Sequence, residues 1–297
     1  MRGGRSGIGR IAATPDAIVT TASDWGGRVG AAWAIEHRRT ERAFAGIAAV
    51  LDAAIAQVAP VAGVALDIGC GVGSTALSLA RSRPGLSVVG ADLSGDLVAV
   101  ARSRADGVPN AAFVHGDAGS VATARAPIDL AVSRHGVMFV ADPVAAFSTL
   151  RAAMRPGAPL LFSTFRARAE NDWSTAVERV LGLPTASDTG YVPGPYGLSD
   201  ANVATAILAR AGWQHVRADP YDVRYVVGAG DDAAADALAF YRRIGPAAGL
   251  LAAAAPDERR AMERRLLDML RERTHDGVVA FTAAIRIWHA DAAGEAA

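Results

Sequence analysis

The segment Val64-Ala65-Leu66-Asp67-Ile68-Gly69-Cys70-Gly71-Val72-Gly73-Ser74, followed directly by Thr75-Ala76-Leu77-Ser78-Leu79-Ala80, restricts this chain more than any other stretch. A short apolar run ending near an acid predicts a buried parallel strand. Three glycines at alternate positions let the backbone turn sharply and approach a ligand with no Cβ in the way. The alanine- and leucine-rich continuation takes helical spacing. Ser74 is placed to cap that helix, whose free N–H groups face the same crevice. Strand, tight turn and helix in this order predict a nucleotide-type cofactor site in an α/β fold.

The spacing discriminates between cofactors. A dinucleotide fingerprint, G-x-G-x-x-G, needs a glycine where this chain has Ser74. Asp67 stands two places before the first glycine, and a carboxylate there repels a pyrophosphate. A ligand carrying an ammonium and no phosphate favours it. The run Asp67-x-Gly69-x-Gly71-x-Gly73 resembles the first motif, D/E-x-G-x-G-x-G, of the class I S-adenosylmethionine-dependent methyltransferases. An NAD(P)-dependent oxidoreductase is the disfavoured alternative, and a S-adenosylmethionine-binding protein without turnover is a third reading.

Further strands repeat the pattern of an acid at the tip. Ser87 to Asp92 is a second buried strand, and Asp92 lies 19 positions after Gly73, where a carboxylate accepts from ribose hydroxyls. Leu93 is then an apolar shelf for the adenine, and Ser94 caps the helix that follows. Ala112 to His115 is a third strand, ending at Gly116-Asp117-Ala118. In the family that G-D-A motif accepts from the adenine amino group. Ligands bind at the carboxyl ends of parallel strands, which puts Asp67, Asp92 and Asp117 in one crevice. Ile128 to Ser133, a helix opened by Asp142-Pro143, an Arg155-Pro156-Gly157 turn and Pro159 to Phe165 complete the core. The span from Ser133 to Phe165 resembles the ubiquinone/menaquinone-biosynthesis type of methyltransferase domain, with Ala158 in place of the usual second glycine.

The resemblance implies a Rossmann-like class I methyltransferase fold. It has a mostly parallel seven-stranded sheet with the last strand antiparallel, an N-terminal helical cap and helical insertions. Residues 1–23 read as a flexible arm, and 24–297 as one methyltransferase domain. Its parts are a cap over 24–60, a cofactor core over 61–166, a lid over 167–198 and the rest of the sheet over 199–297. Trp213 to Val227 reads as a strand broken at Asp219-Pro220. Val278 to His289 alternates as the final strand. The implied cofactor is S-adenosyl-L-methionine, leaving as S-adenosyl-L-homocysteine. Its expected holders are Asp67, Gly69, Cys70, Gly71, Gly73, Asp92, Leu93, Asp117, Ala118 and Ser133.

Methyl transfer needs alignment of nucleophile, methyl and sulfur, and a base only where the nucleophile keeps a proton. His135, just past the fourth strand, is the candidate base or a residue packed on the cofactor. His37 is the second candidate, brought over the pocket by the cap. Trp33, Phe165, Tyr191 and Tyr196 are candidates for the acceptor pocket, suggesting an aromatic or quinone-like small molecule. No metal-spaced His/Cys set appears, and the lone Cys70 excludes an internal disulfide.

Thirty basic residues, all arginine, balance thirty acidic ones, so no net field favours nucleic acid as partner. No run of about 18 uncharged apolar residues predicts a membrane span. The N-terminal stretch lacks the apolar core of a secretory signal. A cytoplasmic protein, monomer or homodimer, is therefore expected.

Overall fold

The protein is described by a computed structural model over residues 22–183 and 190–293. Five strands run parallel: β1 (Ala62–Ile68), β2 (Gly85–Asp92), β3 (Ala111–His115), β4 (Leu130–Arg134) and β5 (Pro159–Phe165). The long β6 (Trp213–Ala229), the two-residue β7 (Thr274–His275) and β8 (Val278–Ala292) complete the sheet. Its order is β3-β2-β1-β4-β5-β8-β6, with β8 antiparallel to both neighbours and β7 pairing with β8. The seven expected strands are thus present, with β7 added. The order reverses at β1 and β4, so the crevice for a ligand opens beyond their carboxyl ends. Register lines up the tips there: Ile68 faces Ala91, Asp92 faces His115, and Arg134 faces Ser163.

Helices cover both faces. In chain order they are α1 (Ala22–Trp25), α2 (Arg28–Ile35), α3 (His37–Val58), α4 (Ser74–Ser82), α5 (Gly95–Arg104) and α6 (Ala118–Arg125). They continue with α7 (Pro143–Ala153), α8 (Asp172–Leu181), α9 (Ala201–Arg210), α10 (Ala233–Tyr241), α11 (Ala248–Ala253) and α12 (Pro256–Glu272). Phe44, Ile47, Leu51 and Ile55 of α3 recur at helical spacing and are all buried against one face of the sheet. At about 1.5–3 kcal/mol for each buried large apolar side chain, this stripe alone anchors the cap. Alternation along β1 sends Ala65 to that layer and Leu66 and Ile68 to the opposite one, among Phe147, Leu150 and Trp213. The expected α7 start holds, with Asp142 accepting from the Ala145 N–H at 2.9 Å ahead of Pro143.

The arm expected over 1–23 lies outside the described residues except for Ala22 and Ser23 at the start of α1. Two other expectations need correction. Trp213 to Ala229 is one strand and Pro220 does not break it. β6 pairs only with β8, so a residue without an N–H is tolerated on its open side. Ser74 does not cap α4: Gly73, at φ 80°, holds the cap position, and the Ser74 hydroxyl donates to Glu41 of α3.

Candidate functional site

The strand tips enclose a cavity of about 910 Å³, lined by β1, β2 and β4 with their loops, α2, α3, and the segments around α8, α10 and α11. At one end, Asp92 gathers the two neighbouring loops. One carboxylate oxygen accepts from the Gly71 N–H and the other from the Ser94 N–H, both at 2.8 Å. Each oxygen keeps a lone pair for a ligand donor. Gly71, at φ 54°, would carry a Cβ with no atom within 4 Å, so its bare Cα faces open space. Gly69, at φ 65°, would set a Cβ 2.9 Å from the Gly136 Cα, so the β1 and β4 loops touch backbone to backbone. The Ser133 hydroxyl fastens this junction, donating to the Ile68 carbonyl at 2.6 Å and accepting from the Gly136 N–H at 3.1 Å.

Asp67 is 1% exposed; one oxygen accepts from the Ala76 N–H at 3.1 Å and the other, Oδ1, has no partner. Burial raises its carboxyl to about 7, and the Arg134 guanidinium pulls against that rise. Arg134 lines the same cavity, so an acid with an unmet oxygen and a cation face one space. A zwitterionic amino-acid end fits this pair, and a ribose fits Asp92. The set therefore suits S-adenosylmethionine on the chemistry of its donors and acceptors.

The other end is aromatic. His135 is 4% exposed, its Nδ1 meets the Ser163 hydroxyl at 2.7 Å, and its Nε2 is buried without a partner. Burial and then Arg134 push its imidazole down to about 3, so the ring is neutral. Phe165 packs edge-on at 4.3 Å between ring centres, and Phe44 stands at 5.6 Å. From Phe44 the ring chain runs through Trp33 to Trp25 and Phe139; from Phe165 it runs to Trp173, Tyr196 and Tyr225.

Of the residues singled out in the sequence, Asp67, Gly69, Cys70, Gly71, Asp92, Leu93, Asp117, Ala118, His135, Trp33, Phe165 and Tyr196 all line this cavity. Asp117 also caps α6, accepting from the Ser120 N–H at 2.8 Å. Four do not line it. Gly73 packs under Phe113, where a Cβ would come within 2.6 Å. Ser133 is the loop fastener described above. His37 binds the Ala34 carbonyl at 2.9 Å, and the Tyr191 hydroxyl donates to the Val140 carbonyl at 2.5 Å. The sequence reading missed Arg134, Glu41, Phe44, Trp173 and Tyr225. Only Arg134, the last residue of β4, carried a local signal: a charge at the strand tip.

Residues 65–157 match the family model described as a methyltransferase domain. A tRNA 5-carboxymethoxyuridine methyltransferase of Escherichia coli is 34% identical over 121 residues, covering 39% of this chain and 46% of that protein. A demethylmenaquinone methyltransferase of Clavibacter sepedonicus is 33% identical over 109 residues, 36% of this chain and 44% of that one. The chain thus spans less than half the length of either relative. A Bacillus halodurans structure described as a methyltransferase superposes with a TM-score of 0.52 at 18% identity, covering 82% of this chain and 99% of that one. That likeness carries the fold.

Proposed function

We propose, from the premise that residues 65–157 are a methyltransferase domain of the class I fold, that the chain is a S-adenosylmethionine-dependent methyltransferase acting on a small molecule. Asp92 carries the reading: its carboxylate is bound by the amides of Gly71 and Ser94 at the tip of β2 and still faces the cavity. Asp92 would take the ribose hydroxyls, and Leu93, Asp117 and Ala118 the adenine. Asp67 and Arg134 would take the ammonium and carboxylate of the amino-acid end. Bound there, the cofactor supplies an electrophilic methyl group on a sulfonium. The chain's own residues orient that ligand, and the aromatic walls hold the acceptor in line and exclude water.

The aromatic lining of the cavity supports a small acceptor over a nucleic acid, as does a formal charge of zero. Among the described residues no helix is long and apolar enough to cross a membrane. The purified chain should move label from methyl-labelled cofactor into the low-molecular-weight fraction of a metabolite extract. Label in added tRNA would overturn the small-molecule reading. Cofactor binding without any transfer would leave a binding protein in its place.

A further inference from the structure

Resting on the methyl-transfer reading above, we propose that the acceptor is a hydroxylated aromatic molecule methylated on oxygen, its O–H received by Nε2 of His135, with Ser163 as the positioning residue that holds the imidazole.

His135 joins the strand tips to the aromatic chamber. Its backbone N–H donates to the Ser163 carbonyl at 3.2 Å, its Nδ1 lies 2.7 Å from the Ser163 hydroxyl, and its φ of 62° is left-handed for a non-glycine. Such backbone costs about 1–3 kcal/mol and persists where the surroundings over-determine it. Here two bonds to one residue of β5 do so, and they aim the ring. The orphan Nε2 adds about 1–3 kcal/mol while nothing meets it. A ligand hydroxyl removes that penalty. Phe165 and Phe44 flank the imidazole and Nε2 is closed to solvent, so an acceptor hydroxyl reaches it as these rings give way to a flat aromatic that takes their place against the imidazole.

Charge selects oxygen over a protonated amine. Glu41, the acid nearest the aromatic end on α3, is already taken by the Ser74 hydroxyl and by Arg104 at 2.7 Å. Asp67 and Asp92 are at the strand tips. The lining of the aromatic end instead carries Arg168, just before α8, whose guanidinium lies 4.4 Å from the Tyr196 ring centre, and Arg242 and Arg243 after α10. Glu178, Glu263 and Glu36 pair with these three arginines, so those acids are spent on cations and offer an ammonium little, whereas a neutral phenol needs no counter-ion. In the transfer the O–C bond forms and the C–S bond breaks, its electron pair staying on sulfur. The hydroxyl proton passes to Nε2 and then to water as the product leaves. That proton becomes strongly acidic only as the O–C bond forms, so a weakly basic neutral imidazole suffices.

The assignment puts the ring proton on Nδ1, donated to Ser163, and the lone pair on Nε2. Nitrogen NMR of the histidine-labelled chain with S-adenosylhomocysteine bound reads this directly. The expected result is the Nδ1-protonated tautomer, with the Nε2 signal shifting on addition of 2-naphthol and not of 2-methoxynaphthalene. The naphthol should bind at least about tenfold more tightly than its ether, and His135→Gln should abolish that preference while it stays folded at about pH 7.5, above the range in which the histidine's titration affects stability. Ser163→Ala should lower kcat more than it changes KM and move the acid limb of the pH profile. An Nε2-protonated tautomer, equal affinity for naphthol and ether, or methylation of 2-naphthylamine in preference to 2-naphthol would overturn the assignment. Failure of S-adenosylhomocysteine to bind at all would instead remove the reading on which it rests.

Discussion

The cavity has two ends built on different physical terms. At the strand tips, closure is made by backbone: Asp92 takes two amides, Asp67 a third, and Gly69 and Gly136 meet without side chains. At the aromatic end, closure is made by side chains from α1, α2, α3, α8, β5 and β6 and the loops beyond β4 and before α9, touching ring to ring. Backbone closure depends on a few glycines and acids at fixed spacing and is intolerant of change. A side-chain wall can be repacked at constant volume. The first end therefore suits a ligand that stays the same, and the second a ligand that differs from one protein to the next.

Substitutions at the two ends should separate sharply. Asp92→Ala removes the charged acceptor of two amides, at about 1.5–3 kcal/mol each, together with the ribose contact, so calorimetry should show S-adenosylhomocysteine affinity down by more than about 100-fold. Phe165→Ala empties a site that is 3% exposed and should lower stability to urea by about 3–5 kcal/mol, leaving that affinity within a few-fold. Equal loss of affinity in both variants would break the comparison.

The two buried titrating groups give a finer test. Asp67 is raised from 3.8 to about 7 and His135 lowered from 6.5 to about 3. Between pH 4 and 6.5 the folded chain holds a proton on Asp67 and none on His135, and the unfolded chain does the reverse. Their contributions to the pH dependence of stability then cancel. Asp67→Asn leaves only the histidine, so relative to wild type stability should rise with pH across that window, by at most about 1.4 kcal/mol per unit. His135→Gln leaves only the acid, and stability should fall with rising pH by a similar slope. Parallel curves for both variants would show that neither group titrates as its burial requires. The smallest effect is expected at Tyr191, which does not line the cavity and whose hydroxyl donates to the Val140 carbonyl: Tyr191→Phe should cost about 1 kcal/mol in urea and leave cofactor affinity unchanged.

The same division explains what was legible in the sequence. Asp67, Asp92 and Asp117 sit at the ends of short apolar runs, and strand, loop and helix follow in local order, so spacing alone places them together. The aromatic wall has no such order: Phe44 and Tyr225 are 181 positions apart, and their rings lie 5.7 Å apart only because α3 crosses β6. Ser74 looks like a cap because a serine follows the glycines, but the cap geometry belongs to left-handed Gly73, and a glutamate 33 positions upstream claims the hydroxyl. His37 falls at the start of α3, where a carbonyl of the preceding turn takes its ring. Arg134 was in plain sight, yet its meaning depends on the unmet oxygen of Asp67, which only the packed strand tips reveal.

A crystal structure of the chain with S-adenosylhomocysteine tests the central claim most directly. The account predicts ribose hydroxyls on the Asp92 carboxylate, the amino-acid end between Asp67 and Arg134, and the sulfur turned toward His135. Density for the ligand elsewhere, or a ribose that leaves Asp92 untouched, would contradict it.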